Sequence, residues 1–187
     1  MRTSDPIDIL LQHDAWATRQ ILQACEKLTG EQFSRNFAMG PGSLQATTTH
    51  IIGAMRRWTD VLAQRPIVPR LDEDGVAYSP AQLLKFLDES ADEFQSVAKS
   101  YPMDGIVTRS RDGKEFAFTR GSVVAQVTTH GMHHRAQCLN MLRQLGVSPL
   151  PLSSVVEWTR SVEAQGSPAT PPQLDNQALK TNGFARR

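Results

Sequence analysis

The chain has little of what marks a membrane, secreted or nucleic-acid-binding protein. No apolar run approaches the roughly 20 residues that span a bilayer. There are only two cysteines, Cys25 and Cys138, far apart in helix-like apolar patterns and in no CxxC motif. That argues against a disulfide framework and for a reducing compartment, so a cytoplasmic location is expected. Charge of one sign is missing too: 20 basic residues stand against 19 acidic ones, for a net charge of +1. No basic field is available for nucleic acid or an anionic membrane. The first six residues lack the apolar core of a signal peptide. What remains is a soluble chain of 187 residues, long enough for one core without staples.

Helical periodicity dominates what is present. Residues 7–28 carry Ile7, Leu10, Ala17, Ile21 and Leu28 at three-and-four spacing, after Asp5-Pro6 as cap and first turn. Asp14 interrupts that apolar stripe. Thr29-Gly30 is read as the stop, and residues 31–42 as a connector ending in Gly40-Pro41-Gly42. Ser43 caps a second helix over residues 44–64, with Leu44, Thr48, Ile51, Met55, Trp58 and Leu62 as its stripe. Residues 67–78 form a loop with the acidic patch Asp72-Glu73-Asp74. Ser79-Pro80-Ala81-Gln82 is a capping box that opens a third helix, with Leu83, Leu87, Ser90, Phe94 and Val97 facing in. Asp112-Gly113, between two short β-prone runs, predicts a hairpin. Thr119 or Arg120 opens the fourth long helix, ending near Gly146; a short fifth helix starts at Ser153 or Ser154. The expected fold is all-α: an up-down four-helix bundle, a small hairpin crossover before the fourth helix and a short C-terminal helix. Residues 1–164 make the bundle, and residues 165–187 a polar tail.

The fourth helix holds the chemistry. Its stripe runs Val123, Val127, His130, His134, Cys138, Met141, Leu145, which puts two histidines on the expected buried seam. Four residues apart, they stack on one face, as two imidazoles binding one ion from one helix must. Buried together they need partners for their ring nitrogens, and a shared metal meets that need. The third ligand is open at this point among His50, His13, Asp14 and His133. His133 is poorly angled to share an ion with both partners. His50 lies about 120° from the centre of its own stripe, on a flank with Ser43, Thr47, Ala54 and Val61. Histidine ligands without cysteine suit Zn, Ni or Fe.

Several segments in order resemble the DinB/YfiT-like superfamily of damage-inducible-type metal-binding four-helix bundles. His13-Asp14-Ala15-Trp16-Ala17 is similar to its aromatic-Asn-x-Trp-Ala start, with Asp14 where the family has Asn. Ser43-Leu44 through His50-Ile51 is similar to its second helix. His130-Gly131-Met132-His133-His134-Arg135-Ala136-Gln137 is close to its His-x-x-His-His-Arg-x-Gln signature. The resemblance covers about residues 5–160. It implies His50, His130 and His134 as ligands of a divalent ion, Zn or Ni first and Fe or Mn next. It also implies a small-molecule substrate, a low-molecular-weight thiol as co-substrate in some relatives, and a homodimer.

The expected function is therefore a metal-dependent hydrolase or thiol-dependent transferase. Asp14 or His133 is the candidate proton acceptor, and Arg135 either an anion holder or a salt-bridge partner. Trp16 and Trp58 pack in the core or line a pocket. The alternatives are a non-catalytic metal-binding stress-response protein and a bundle that binds a small ligand without metal.

Overall fold

The structure is a computed structural model that describes residues 3–166. Its elements in chain order are α1 (Pro6–Cys25), α2 (Gly30–Ser34), α3 (Leu44–Ala63), α4 (Pro80–Lys99), β1 (Ile106–Arg111), β2 (Lys114–Thr119), α5 (Arg120–Gln144) and α6 (Val155–Gly166). The chain is mostly helical with one two-stranded sheet. The expected tail lies, beyond Gly166, outside the described residues. Among those described, no helix is long and apolar enough to cross a membrane.

The helices start where their caps dictate. The Asp5 carboxylate accepts from the Ile7 amide at 2.8 Å, and Pro6 fills the first helical position. Ser43 accepts from Ala46 at 3.0 Å. Ser79 and Gln82 form the reciprocal capping box, and Thr119 caps α5 by accepting from Ser122 at 3.1 Å. Each such cap contributes about 1 kcal/mol. One helix was not expected. Thr29 and Gln32 form a second capping box, so the supposed stop at Thr29-Gly30 is also the start of α2. Phe33 of that helix is buried in the core.

Four long helices surround one apolar core. α1 packs against α4 and α5, and α3 packs against the same two. Ile21 and Leu22 of α1 meet Ile52 and Met55 of α3, Leu83 and Leu87 of α4, and Met141 and Leu142 of α5 within it. Each such side chain contributes roughly 1.5–3 kcal/mol on full burial. Two details of the predicted faces are corrected. Leu10 is left exposed and Leu11 takes its place inside, a shift of one position around α1. On α4 the last inward residue is Ala98 rather than Val97.

The hairpin forms as Asp112-Gly113 predicts. Both residues have positive φ, 53° and 72°, and the strands pair antiparallel from Ile106–Thr119 to Arg111–Lys114. Immediately after it, the buried Arg120 donates to the Leu62 carbonyl at 2.8 Å and to the Val97 carbonyl at 2.6 Å. One cation thereby serves the carbonyl-rich ends of α3 and α4 together, where a positive charge is favoured. It also fixes the start of α5 at the end of α3, so these two helices run antiparallel. α6 folds back on α1, where His13 Nε2 donates to the Ser153 carbonyl at 2.9 Å and Trp158 covers the imidazole edge-on.

Candidate metal centre

The antiparallel packing of α3 and α5 brings His50, near the start of α3, onto His130 and His134 in the middle of α5. The ring centroids lie 5.0 Å apart for His50 and His130, 4.8 Å for His50 and His134, and 4.5 Å for His130 and His134. One nitrogen from each ring can be chosen so that all three lie within 4.8 Å of one another. The Nε2 atoms of His50 and His130 are already 3.1 Å apart. Nitrogens held about 2.0–2.1 Å from one tetrahedral ion stand roughly 3.3 Å from each other. The three rings therefore fit a divalent ion with small side-chain adjustments.

The outer nitrogens of two rings are already occupied. His50 Nδ1 lies 3.0 Å from Asp72 Oδ2, which as a carboxylate accepts its N–H, and 3.1 Å from Arg70 Nη2. Arg70 in turn clamps both oxygens of that carboxylate, with Nε on Oδ1 at 2.8 Å and Nη2 on Oδ2. Burial raises the Asp72 carboxyl, but Arg70 and His50 outweigh it and hold the group below its usual range. His134 Nδ1 donates to Gln137 Oε1 at 2.8 Å. In both rings the Nδ1–H tautomer leaves the Nε2 lone pair free to face the centre, the arrangement seen for metal-ligating histidines. Gln137 passes its own N–H to His133 Nε2 at 3.1 Å. Gly40 makes room for this bridge, since a Cβ there would lie 2.2 Å from Gln137 Oε1.

Electrostatics favour the neutral form of His130 and His134. Burial first, then the charges of His134, His50, His133 and Arg70, push His130 down to about 4. Burial also lowers His134, partly offset by its bond to Gln137. Neutral imidazole is the form that binds a cation. The cysteines do not compete: both are buried and free, and burial pushes the Cys25 thiol up to about 12.

The histidines do not occupy the centre of the buried seam, as their periodicity suggested. They are partly buried at its edge. The interior side of α5 is taken by Val124, Val127, Thr128, Gly131, Arg135 and Cys138. Arg135 is only 3% exposed and forms an ion pair with Asp14, which is 2% exposed. Arg135 Nη1 also donates to the Thr18 hydroxyl at 3.1 Å. Burial raises the Asp14 carboxyl, against the pull of the Arg135 guanidinium. A Cβ on Gly131 would lie 2.5 Å from Asp14 Oδ1, so glycine is what lets α1 and α5 close over the pair.

Of the predicted site residues, His50, His130 and His134 thus come together. His133 stands exposed beside them, its ring 5.0 Å from His134. Asp14 is not brought to the cluster; it holds Arg135 on another face of α5. His13 is bound to Ser153 instead. Asp72, Arg70 and Gln137 were missed as partners of the imidazoles.

A mostly helical protein with three convergent histidines on two antiparallel helices belongs to a recognisable class: helical proteins that can hold one metal ion between helices. The sequence profile of the DinB family matches residues 1–165, and the chain belongs to that family. The crystal structure of a DinB-like protein from Bacillus subtilis superposes with a TM-score of 0.58 at 14% identity, covering 78% of this chain and 97% of that one. A DinB-like protein from Bacillus cereus ATCC 10987 gives 0.59 at 18% identity, covering 75% and 91%. These likenesses concern the fold. No curated protein matches the chain.

Proposed function

We propose that His50, His130 and His134 hold a single divalent ion, zinc or nickel before iron or manganese, and that the protein is a metal-dependent hydrolase or thiol transferase acting on a small molecule. The observation that carries this is the convergence of three imidazoles, two of which, His50 and His134, have their outer nitrogens tied back by Asp72 and Gln137. Three histidine ligands leave at least one position open, as in catalytic rather than closed structural sites. A divalent ion in such a site supplies Lewis acidity and lowers the pKa of a water or thiol bound to it.

The protein's own residues supply the rest. Asp72, clamped by Arg70, orients His50. Gln137 orients His134 and presents His133 at the rim. His133 is exposed at the rim, and it takes a proton from an incoming water or thiol once its Nε2 lone pair is released from the Gln137 N–H. Asp14 acts at a distance from the reacting atoms, by fixing the crossing of α1 and α5 through Arg135.

The test is turnover. Zinc- or nickel-loaded protein is assayed against activated esters, and against an arylating electrophile with glutathione, bacillithiol or mycothiol. Activity is expected with at least one pair, abolished by chelation and by His134→Ala. Activity that survives both treatments contradicts the reading. A metal-loaded protein that turns over nothing in the panel favours the non-catalytic alternative.

A further inference from the structure

The turn between α2 and α3 supplies no ligand, yet it meets the site at one residue. Its two ends are fixed: Phe37 is buried in the core, and Ser43 caps α3. Between them the backbone closes on itself. The Phe37 amide donates to the Gly42 carbonyl at 2.5 Å, the Met39 amide to the Phe37 carbonyl at 2.8 Å, and the Gly42 amide to the Met39 carbonyl at 3.0 Å. The Met39 side chain packs against the core. Gly40 and Gly42 both have positive φ, 51° and 102°. A Cβ on Gly42 would lie 2.7 Å from Asn36 Oδ1. The turn is a closed unit anchored in the bundle, and its shape calls for glycine at both places.

Gly40 is set against Gln137. A Cβ on Gly40 would lie 2.2 Å from Gln137 Oε1, 2.8 Å from Cδ and 3.3 Å from Nε2. That amide is the bridge between two histidines. Its oxygen is 2.8 Å from His134 Nδ1, and its nitrogen is 3.1 Å from His133 Nε2. Both rings belong to α5 itself, three and four residues before Gln137. A long glutamine side chain loses rotamer freedom when it makes such a bridge. The turn, held by Phe37 and Ser43, gives it a fixed surface from another part of the chain.

The contact has a direction as well. The Gly40 hydrogen that stands where a Cβ would be points at Oε1, the accepting end of the amide. Turned the other way round, the amide would press its NH2 against a C–H group, which accepts nothing. Oε1 therefore stays beside His134 Nδ1, and an acceptor there calls for the proton on Nδ1. That is the tautomer with Nε2 free for a cation.

We propose that Gly40 is a positioning residue for the metal centre. Through its contact with Gln137 the turn keeps the amide oxygen on His134, and so keeps that ring in the tautomer that binds a cation. The consequence for metal binding rests on the metal reading above; the hold on the amide does not.

The experiment has two readouts on the full chain. Long-range proton–nitrogen correlation gives the imidazole tautomers without metal, at a pH where the rings are neutral, and competition titration gives zinc affinity. Wild-type protein is expected to carry the His134 proton on Nδ1. Gly40→Ala drives a methyl group into the amide. It is expected to move His134 towards the Nε2–H form and to weaken zinc binding by about tenfold or more, the scale set by losing the outer partner of a ligating histidine. Gly75→Ala is the control. Its φ is 74°, but a Cβ there meets nothing within 4 Å, so it brings the backbone strain without the contact and is expected to leave both readouts unchanged. With Gln137→Ala already in place, adding Gly40→Ala is expected to change zinc affinity by less than about twofold, because the two act through one contact. Should Gly40→Ala fail to fold, Gly40→Asn takes its place, since it carries the same Cβ and adopts a left-handed backbone at lower cost. A folded Gly40 variant that keeps the His134 proton on Nδ1 overturns the proposal. So does a loss of zinc affinity that Gly75→Ala shares, or one that persists in full once Gln137 is alanine. Wild-type protein that takes up no zinc removes the metal reading, and the tautomer then decides alone: a shift in the Gly40 variant supports the hold on the amide, and an unchanged tautomer overturns it.

Discussion

An imidazole has two nitrogens, and the fate of the outer one decides what the inner one can do. In His50 and His134 the outer nitrogen is committed to Asp72 and to Gln137. The inner nitrogens are then left to the cluster, where those of His50 and His130 lie 3.1 Å apart. His130, lowered to about 4 from 6.5, gives a pH test with a definite sign. Between these values the unfolded chain binds more protons than the folded one, so the stability of metal-free protein rises with pH across the window. It is therefore expected to melt at falling temperature as pH drops from 6.5 towards 4. His134, shifted in the same direction, adds to the effect. His130→Gln should flatten the profile, measured by thermal melts at a series of pH values; an unaltered profile in that variant contradicts the assigned burial. At this scale the sequence was informative about type and spacing. It could not reveal Asp72, because a loop carboxylate 22 residues from His50 follows no periodic rule. Gln137 was in view within the signature, three residues after His134, yet its bond depends on a rotamer.

At the scale of elements, caps were the most legible feature. Asp5, Ser43, Ser79 and Thr119 all start helices where their local chemistry requires. α2 was missed although Thr29 and Gln32 carry the same signature, because a helix stop and a helix start overlap there. The inward face of α5 was misread for a different reason. Apolar periodicity does not score a buried arginine, so the seam was drawn through His130 and His134 rather than through Gly131 and Arg135. Asp14, by contrast, was correctly placed on the inner side of α1, and its partner explains why a carboxylate is tolerated there. The pair fixes how α1 and α5 cross. Asp14→Ala leaves a buried unpaired guanidinium and is expected to cost about 3–5 kcal/mol. Replacing both residues, as Asp14→Ala with Arg135→Met, should cost clearly less than the sum of the single changes. Urea denaturation of the four proteins measures this coupling; strictly additive losses would show that the pair carries no specific interaction.

For the whole molecule, four long helices set the frame, and the loops and hairpin decide what the frame can bind. The loop after α3 supplies Arg70 and Asp72 behind His50, and β1 lays Arg109 over Trp58 further along the same helix. Neither contribution is visible in the helical pattern that predicted the fold, because both depend on where irregular segments lie across α3. DinB-family membership, by contrast, was readable from short ordered segments that mostly coincide with the histidines and their neighbours. The account stands on one claim, that His50, His130 and His134 share an ion. The most direct measurement is zinc and nickel binding by competition titration, with X-ray absorption at the metal edge to count ligands. The account predicts one ion per chain with three imidazole nitrogens and no sulfur. It also predicts an affinity lost by two or more orders of magnitude in each of His50→Ala, His130→Ala and His134→Ala. Wild-type protein that binds no stoichiometric metal, or variants that bind it as tightly, would contradict it.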